Sequence, residues 1–155
     1  MRYVCWIIAA LLAAHVVYFY GLYDRARDVA FSEDDRTPIA LTPAERDAVL
    51  AEMRRFLQSV QEITRAAAAG EPGALAEAAR ASGAAARQQV PASAMEKLPA
   101  EFKKLGFDTH QRFDRLAMDV TQLDDTAPAA EQLPALLQNC VACHAAYRLD
   151  PVRTP

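Results

Sequence analysis

The residues best equipped for chemistry lie near the C-terminus, in the run Cys140-Val141-Ala142-Cys143-His144. On a helix the two cysteines are three positions apart and His144 is four from Cys140, so all three side chains project from one side. C-x-x-C-H is the attachment signature of c-type haem. The thiols can add to two vinyl groups while the imidazole reaches the iron from the proximal face, and one covalently bound haem c is the cofactor expected. Three other readings compete. Zinc would need two more good ligands, and the sequence offers only His110 and distant carboxylates. A thioredoxin-like pair belongs at a helix N-terminus after a strand, where the dipole lowers the thiol pKa. A disulfide across three helical residues gains little loop entropy.

The rest of the chain must position that run, and its composition favours helices for the purpose. Of 155 residues 52% are hydrophobic and 24% charged, with a net charge of -3, which supports a core and argues against a mostly disordered chain. No basic excess is present to neutralise phosphates, so nucleic acid is not an expected partner. With five glycines, and with Val, Ile and Thr thin outside the first twenty positions, sheets are disfavoured and the strong helix formers dominate.

Thr42-Pro43-Ala44-Glu45 reads as a helix start, with Thr42 as cap, Pro43 in the first helical position and Glu45 completing a capping box. Val49, Met53, Phe56, Val60 and Ile63 then form an apolar stripe that ends near Gly70-Glu71-Pro72-Gly73. A second, Ala-rich helix is expected over Ala74–Gln88. The stretch from Pro91 to Gly106 reads as a loop with one short helical turn after Leu98-Pro99. A third helix is expected over Phe107–Thr121 and a fourth over Ala129–Leu149, with Pro134 near its start. Four amphipathic helices with mostly short connections predict an antiparallel four-helix bundle.

Ahead of the bundle, Tyr3 to Tyr23 contain no formal charge. At about 1.5 Å per residue such a helix spans the roughly 30 Å of a bilayer core. Tyr3 and Trp6 at one end, and Tyr18, Phe19, Tyr20 and Tyr23 at the other, suit the interfaces. The expectation is therefore an all-α protein with a single N-terminal transmembrane helix. Residues 1–23 form its anchor, 24–41 a juxtamembrane linker, 42–149 the haem-carrying bundle and 150–155 a tail. Arg2 would keep the N-terminus cytoplasmic and place the bundle in the periplasm of a bacterial inner membrane. A cleaved signal peptide is the alternative, but no small-x-small site follows the apolar run. Cys5 reads as an ordinary anchor residue, and His15 as a structural histidine near the Tyr belt.

A four-helix bundle with CVACHAAYR close to its C-terminus resembles the cytochrome c-prime family and its low-spin, six-coordinate relatives. The likeness covers about residues 42 to 149, and LPAEF before the third helix, Tyr147 and Arg148 fit the same pattern. The anchor is a departure, since that family is usually soluble. The resemblance implies His144 as proximal iron ligand and, in the low-spin relatives, a methionine of the first helix on the other side. Met53 is the matching position. About 15 Å into its helix, it falls at roughly the depth of His144 in an up-down-up-down bundle. His110 and an open site are the rival readings, whereas Met95 and Met118 are less well placed. Arg148 could hold a haem propionate, or face solvent at a helix C-terminus.

No Ser-His-Asp set, phosphate loop or paired-acid motif suggests an enzyme. The expected function is one-electron transport between membrane or periplasmic redox partners, with the lipid bilayer contacted through residues 3–23. Dimerisation and incorporation into a larger redox complex both suit the sequence. A five-coordinate, gas-binding protein is the alternative if no side chain meets the distal face.

Overall fold

The computed structural model describes residue 6, residues 10–21 and residues 34–152. The chain falls into two units, Met1–Asp35 and Arg36–Pro155. In the first, α1 is described over residues 10–21, and His15 packs its ring 5.0 Å from that of Phe19. The single-pass transmembrane anchor, and with it the inner-membrane placement, is corrected here: among the described residues no helix is long and apolar enough to cross a membrane. Tyr3, Cys5 and Tyr23 of the expected span, and Arg2 before it, lie outside the described residues.

In the second unit the elements run β1 (Thr37–Leu41), α2 (Pro43–Ala69), α3 (Pro72–Arg80), a 3-10 segment (Ala84–Gln89), α4 (Ala92–Lys97), α5 (Ala100–Leu123), α6 (Pro128–Ala146) and β2 (Tyr147–Pro151). The described chain is mostly helical, but the expected class of one spanning helix plus four comparable bundle helices is not what forms. Six helices occur among the described residues, two of them short, together with a two-stranded parallel sheet.

The start of α2 is the one read from sequence. Thr42 Oγ1 accepts from the Glu45 backbone N–H, and the Glu45 carboxylate accepts from the Thr42 N–H at 2.9 Å. Gly70 ends the helix in the left-handed conformation, which glycine adopts at no steric cost. The second helix stops at Arg80, short of the expected Gln88, at a turn where Asp114 Oδ2 accepts from the Ala84 N–H at 2.9 Å. A Cβ on Gly83 would sit 1.9 Å from Asp114 Oδ1, so this close approach needs glycine.

The third helix begins earlier than expected. The turn after Leu98-Pro99 is the start of α5, which continues through Gly106 to Leu123. A helical Gly costs about 1 kcal/mol relative to Ala, and burial of Phe102, Thr109, Phe113 and Leu116 outweighs it. The fourth helix ends at Ala146 rather than Leu149, because Tyr147 turns extended and β2 pairs with β1, from Thr37↔Tyr147 to Leu41↔Pro151. Residues 37–41, expected as the end of a linker, thus form a strand with Ile39 and Leu41 buried.

Two apolar clusters stabilise this unit. Ile63, Leu75, Phe113, Leu116, Val120 and Leu136 centre the first, with α2, α3, α5 and α6 around it. Ile39, Leu41, Val49, Val90, Leu98 and Phe102 form the second, under the sheet. Cys140 packs against the first cluster and Cys143 against the second, so the C-x-x-C-H run straddles both.

Candidate functional site

α2 and α6 touch sparsely, whereas α5 packs closely against α6. A cavity of about 390 Å³ opens among the three. Cys140, Cys143 and His144 reach it from α6, Met53 and Phe56 from α2, and Phe102, Gly106 and Thr109 from α5. The size lies within the range of small-molecule and cofactor pockets, and the lining is largely apolar, as such pockets usually are. Residues some ninety positions apart in sequence therefore share one wall-to-wall space.

The two thiols are half-buried, and burial pushes both up. Cys143 reaches about 11, with Cys140 adding a smaller upward push. They are thus protonated at neutral pH, the opposite of a redox-active CxxC thiol, whose pKa is lowered. Their place near the C-terminal end of α6 disfavours thiolate for the same reason. His144 is exposed at the cavity's edge, and its backbone carbonyl accepts from Arg36 Nη1 at 3.3 Å.

His110 is held away from this role. Its Nδ1 lies 2.8 Å from the Ser82 carbonyl and its Nε2 3.3 Å from Glu52 Oε1, in a side chain only 3% exposed. Phe56 stands edge-on against the ring at 4.9 Å. Burial by itself would lower the imidazole pKa, but the Glu52 carboxylate and the Ser82 carbonyl outweigh it and hold the pKa above its usual value. With both nitrogens engaged, His110 is a satisfied core histidine, and it does not line the cavity. Arg148 also lies off the lining. It sits in β2 with Nε 3.4 Å from Asp150 Oδ2, while Arg54 is a cation on the lining itself.

Several lining residues were not singled out from sequence, among them Asn139, Gly106, Phe102 and Thr109. Asn139 is buried one position before Cys140, and its amide donates to Asp108 Oδ2 at 2.8 Å and to Thr109 Oγ1 at 3.2 Å, bracing α6 against α5. That bond, with the Arg112 guanidinium, holds the Asp108 carboxyl below its usual range. Gly106 carries no side chain into the space, and a Cβ there would meet nothing within 4 Å. The spacing Phe102, Gly106, Thr109 marks one helical face, and it would have been visible had the helix been started at Ala100.

The chain matches no protein-family model, no curated protein and no solved structure.

The expectation of a metal-binding protein is corrected as far as the protein's own carboxylate, thiol and imidazole ligands go. Among the described residues no group of three or more His, Cys, Asp or Glu could hold a metal ion. The zinc reading therefore lacks a ligand set among them. A haem makes a different demand: the macrocycle brings its own nitrogens, and the protein adds two tethering sulfurs and one or two axial ligands. The residues around the cavity fit that demand. Both cysteines, an imidazole and a thioether converge on an apolar space, and a glycine leaves one wall open.

Proposed function

We propose that this protein is a c-type haem electron carrier similar to the low-spin relatives of the cytochrome c-prime family. The observation that carries the reading is the single apolar cavity shared by Cys140, Cys143 and His144 of α6 and Met53 of α2. In it Cys140 and Cys143 would hold the haem covalently, and His144 and Met53 would be the side chains available to its iron. When bound, the haem supplies a one-electron centre, and a thioether opposite an imidazole sets its potential high. The chain's own part is to orient and to exclude water. Phe56, Phe102, Leu105 and Val60 line the space, and an apolar shell disfavours added charge and limits ligand exchange. The Asn139 bonds fix the rotation of α6, and so the direction in which both thiols point. Arg54 replaces Arg148 as the side chain at hand for a haem propionate.

Expression with haem-attachment machinery, followed by a visible spectrum of the reduced protein, tests the reading. Sharp alpha and beta bands of low-spin haem are expected, with colour that stays on the protein in acidified acetone. Cys143→Ala should lose most of that retention. Colour that partitions wholly into the organic phase from the parent protein rules out thioether attachment. Broad high-spin bands with ready carbon monoxide binding would replace the carrier with a gas-binding protein.

A further inference from the structure

Nothing in the fold itself accounts for Gly106. It lies in the interior of α5, a helix of 24 residues, where glycine weakens the helix relative to alanine. Among the glycines of the described residues only Gly70 takes a positive φ, so Gly106 holds no conformation that a side chain forbids. Close packing does not require it either. A Cβ built on Gly83 would strike Asp114, whereas one built on Gly106 would meet nothing within 4 Å. What lies beside Gly106 is the cavity among α2, α5 and α6.

The gap is held open from both sides. Phe102 and Thr109, four residues before Gly106 and three after it, line the cavity from the same face of α5. Phe102 is packed into the second cluster and stands edge-on to Tyr147 at 5.4 Å. Thr109 Oγ1 donates to the Leu105 carbonyl at 2.8 Å and accepts from the Asn139 amide at 3.2 Å. With both flanking side chains engaged, bare helix backbone remains as part of the wall. Glycine on a wall is what lets a backbone and a ligand approach closely. A ligand bonded to both Cys140 and Cys143 could not slide along the cavity to avoid a new side chain, and a rigid ring could not bend around one.

On the haem reading, we infer that Gly106 sets which ligands the cavity admits: its missing side chain leaves the clearance that a flat, rigid macrocycle requires, at a cost in helix stability. Folding and binding should therefore respond with opposite signs to a side chain at this position, which a merely structural glycine would not give.

The test titrates the haem-free full chain, its thiols kept reduced, with iron protoporphyrin IX and follows the Soret band. Thermal unfolding of the same ligand-free samples is read by circular dichroism. Gly106→Ala should melt higher than the parent and bind the porphyrin several-fold more weakly. Gly106→Leu, still a good helix former, should weaken binding about tenfold or more. It should also carry less covalent haem after expression with attachment machinery. Gly73→Leu is the control, since Gly73 is likewise helical with open space at its Cβ but lies off the cavity lining. Its affinity should equal the parent's. Parental affinity in both Gly106 variants overturns the inference, and so does an equal loss in Gly73→Leu. A ligand-free Gly106→Ala chain that melts below the parent also overturns it, by assigning the glycine to the fold. If Gly106→Leu does not fold, Gly106→Ala decides alone. A parent that takes up no haem sinks the carrier together with this inference, whereas a parent that binds haem beside unaffected Gly106 variants sinks this inference only.

Discussion

At the scale of single residues, Met53 and His110 illustrate how burial assigns roles to similar candidates. Both are potential iron ligands by type, and both belong to helices that flank the cavity. His110 has each ring nitrogen engaged, by Ser82 and Glu52, and does not line the space. Met53 lines the space and is half-buried against Phe102 and its neighbours. Met53→Ala should therefore move a haem-loaded protein toward high spin, lower its reduction potential and open it to carbon monoxide. The fold should lose less than the about 2–5 kcal/mol of a fully buried Met→Ala change. His110→Ala should leave the axial spectrum in place while lowering stability, since Glu52 loses its buried partner. Magnetic circular dichroism of the two variants checks the pair. A low-spin spectrum unchanged by the first and destroyed by the second would exchange the ligands.

Elements form where local signals agree with their partners, and the discrepancies mark long-range effects. The capping box, the Pro at the first position and the terminal Gly are all local, and they gave both ends of α2. Glu45 adds something no local pattern shows. Lys97, at the end of α4, places its ammonium 2.6 Å from Glu45 Oε2, and that contact, with the Thr42 N–H, holds the carboxyl at about 2. A carboxyl depressed in the folded state stabilises it above its unfolded pKa and ceases to do so as pH falls through the folded value. The stabilisation should therefore fade between about pH 4.5 and about pH 2. Thermal unfolding followed across that range should show it, and Glu45→Gln should flatten this part of the profile while lowering stability at neutral pH. Thr42→Ala should cost about 1 kcal/mol at neutral pH. The C-x-x-C-H motif was legible because it is local in the same way, as was Met53 on its stripe. The first turns of α5 were not, because Gly106 argues for a break when tertiary burial is unknown. With that segment read as loop, Phe102, Gly106 and Thr109 could not be placed on the cavity.

The whole molecule is closed by two strands that no local pattern announced. β1 and β2 are five residues each and lie more than a hundred positions apart, so their parallel pairing could be neither seen in composition nor inferred from a chain dominated by helix formers. Their effect is to fasten the entry to α2 beside the exit from α6. Arg46 Nε donates to the Leu149 carbonyl at 3.3 Å, and Arg36 Nη1 to the His144 carbonyl, an acceptor that a helix end leaves without an intrahelical donor. Tyr147 stands edge-on against Phe102 at 5.4 Å, so the same clasp also supports a wall of the cavity. The helix that carries His144 is thereby pinned to the one that carries Met53, although the two helices touch sparsely along the seam. Two truncations separate this role from that of the first unit. A chain beginning at Arg36 should retain the cooperative melt and the low-spin spectrum of the haem-loaded protein. One beginning at Pro43 lacks β1, the Thr42 cap and the buried Ile39 and Leu41. It should melt many degrees lower and show a high-spin fraction, as His144 and Met53 lose their common frame. Equal melting and equal spectra in the two truncations would show that the strands merely decorate the helices, and would return the alignment of His144 with Met53 to the apolar cluster alone.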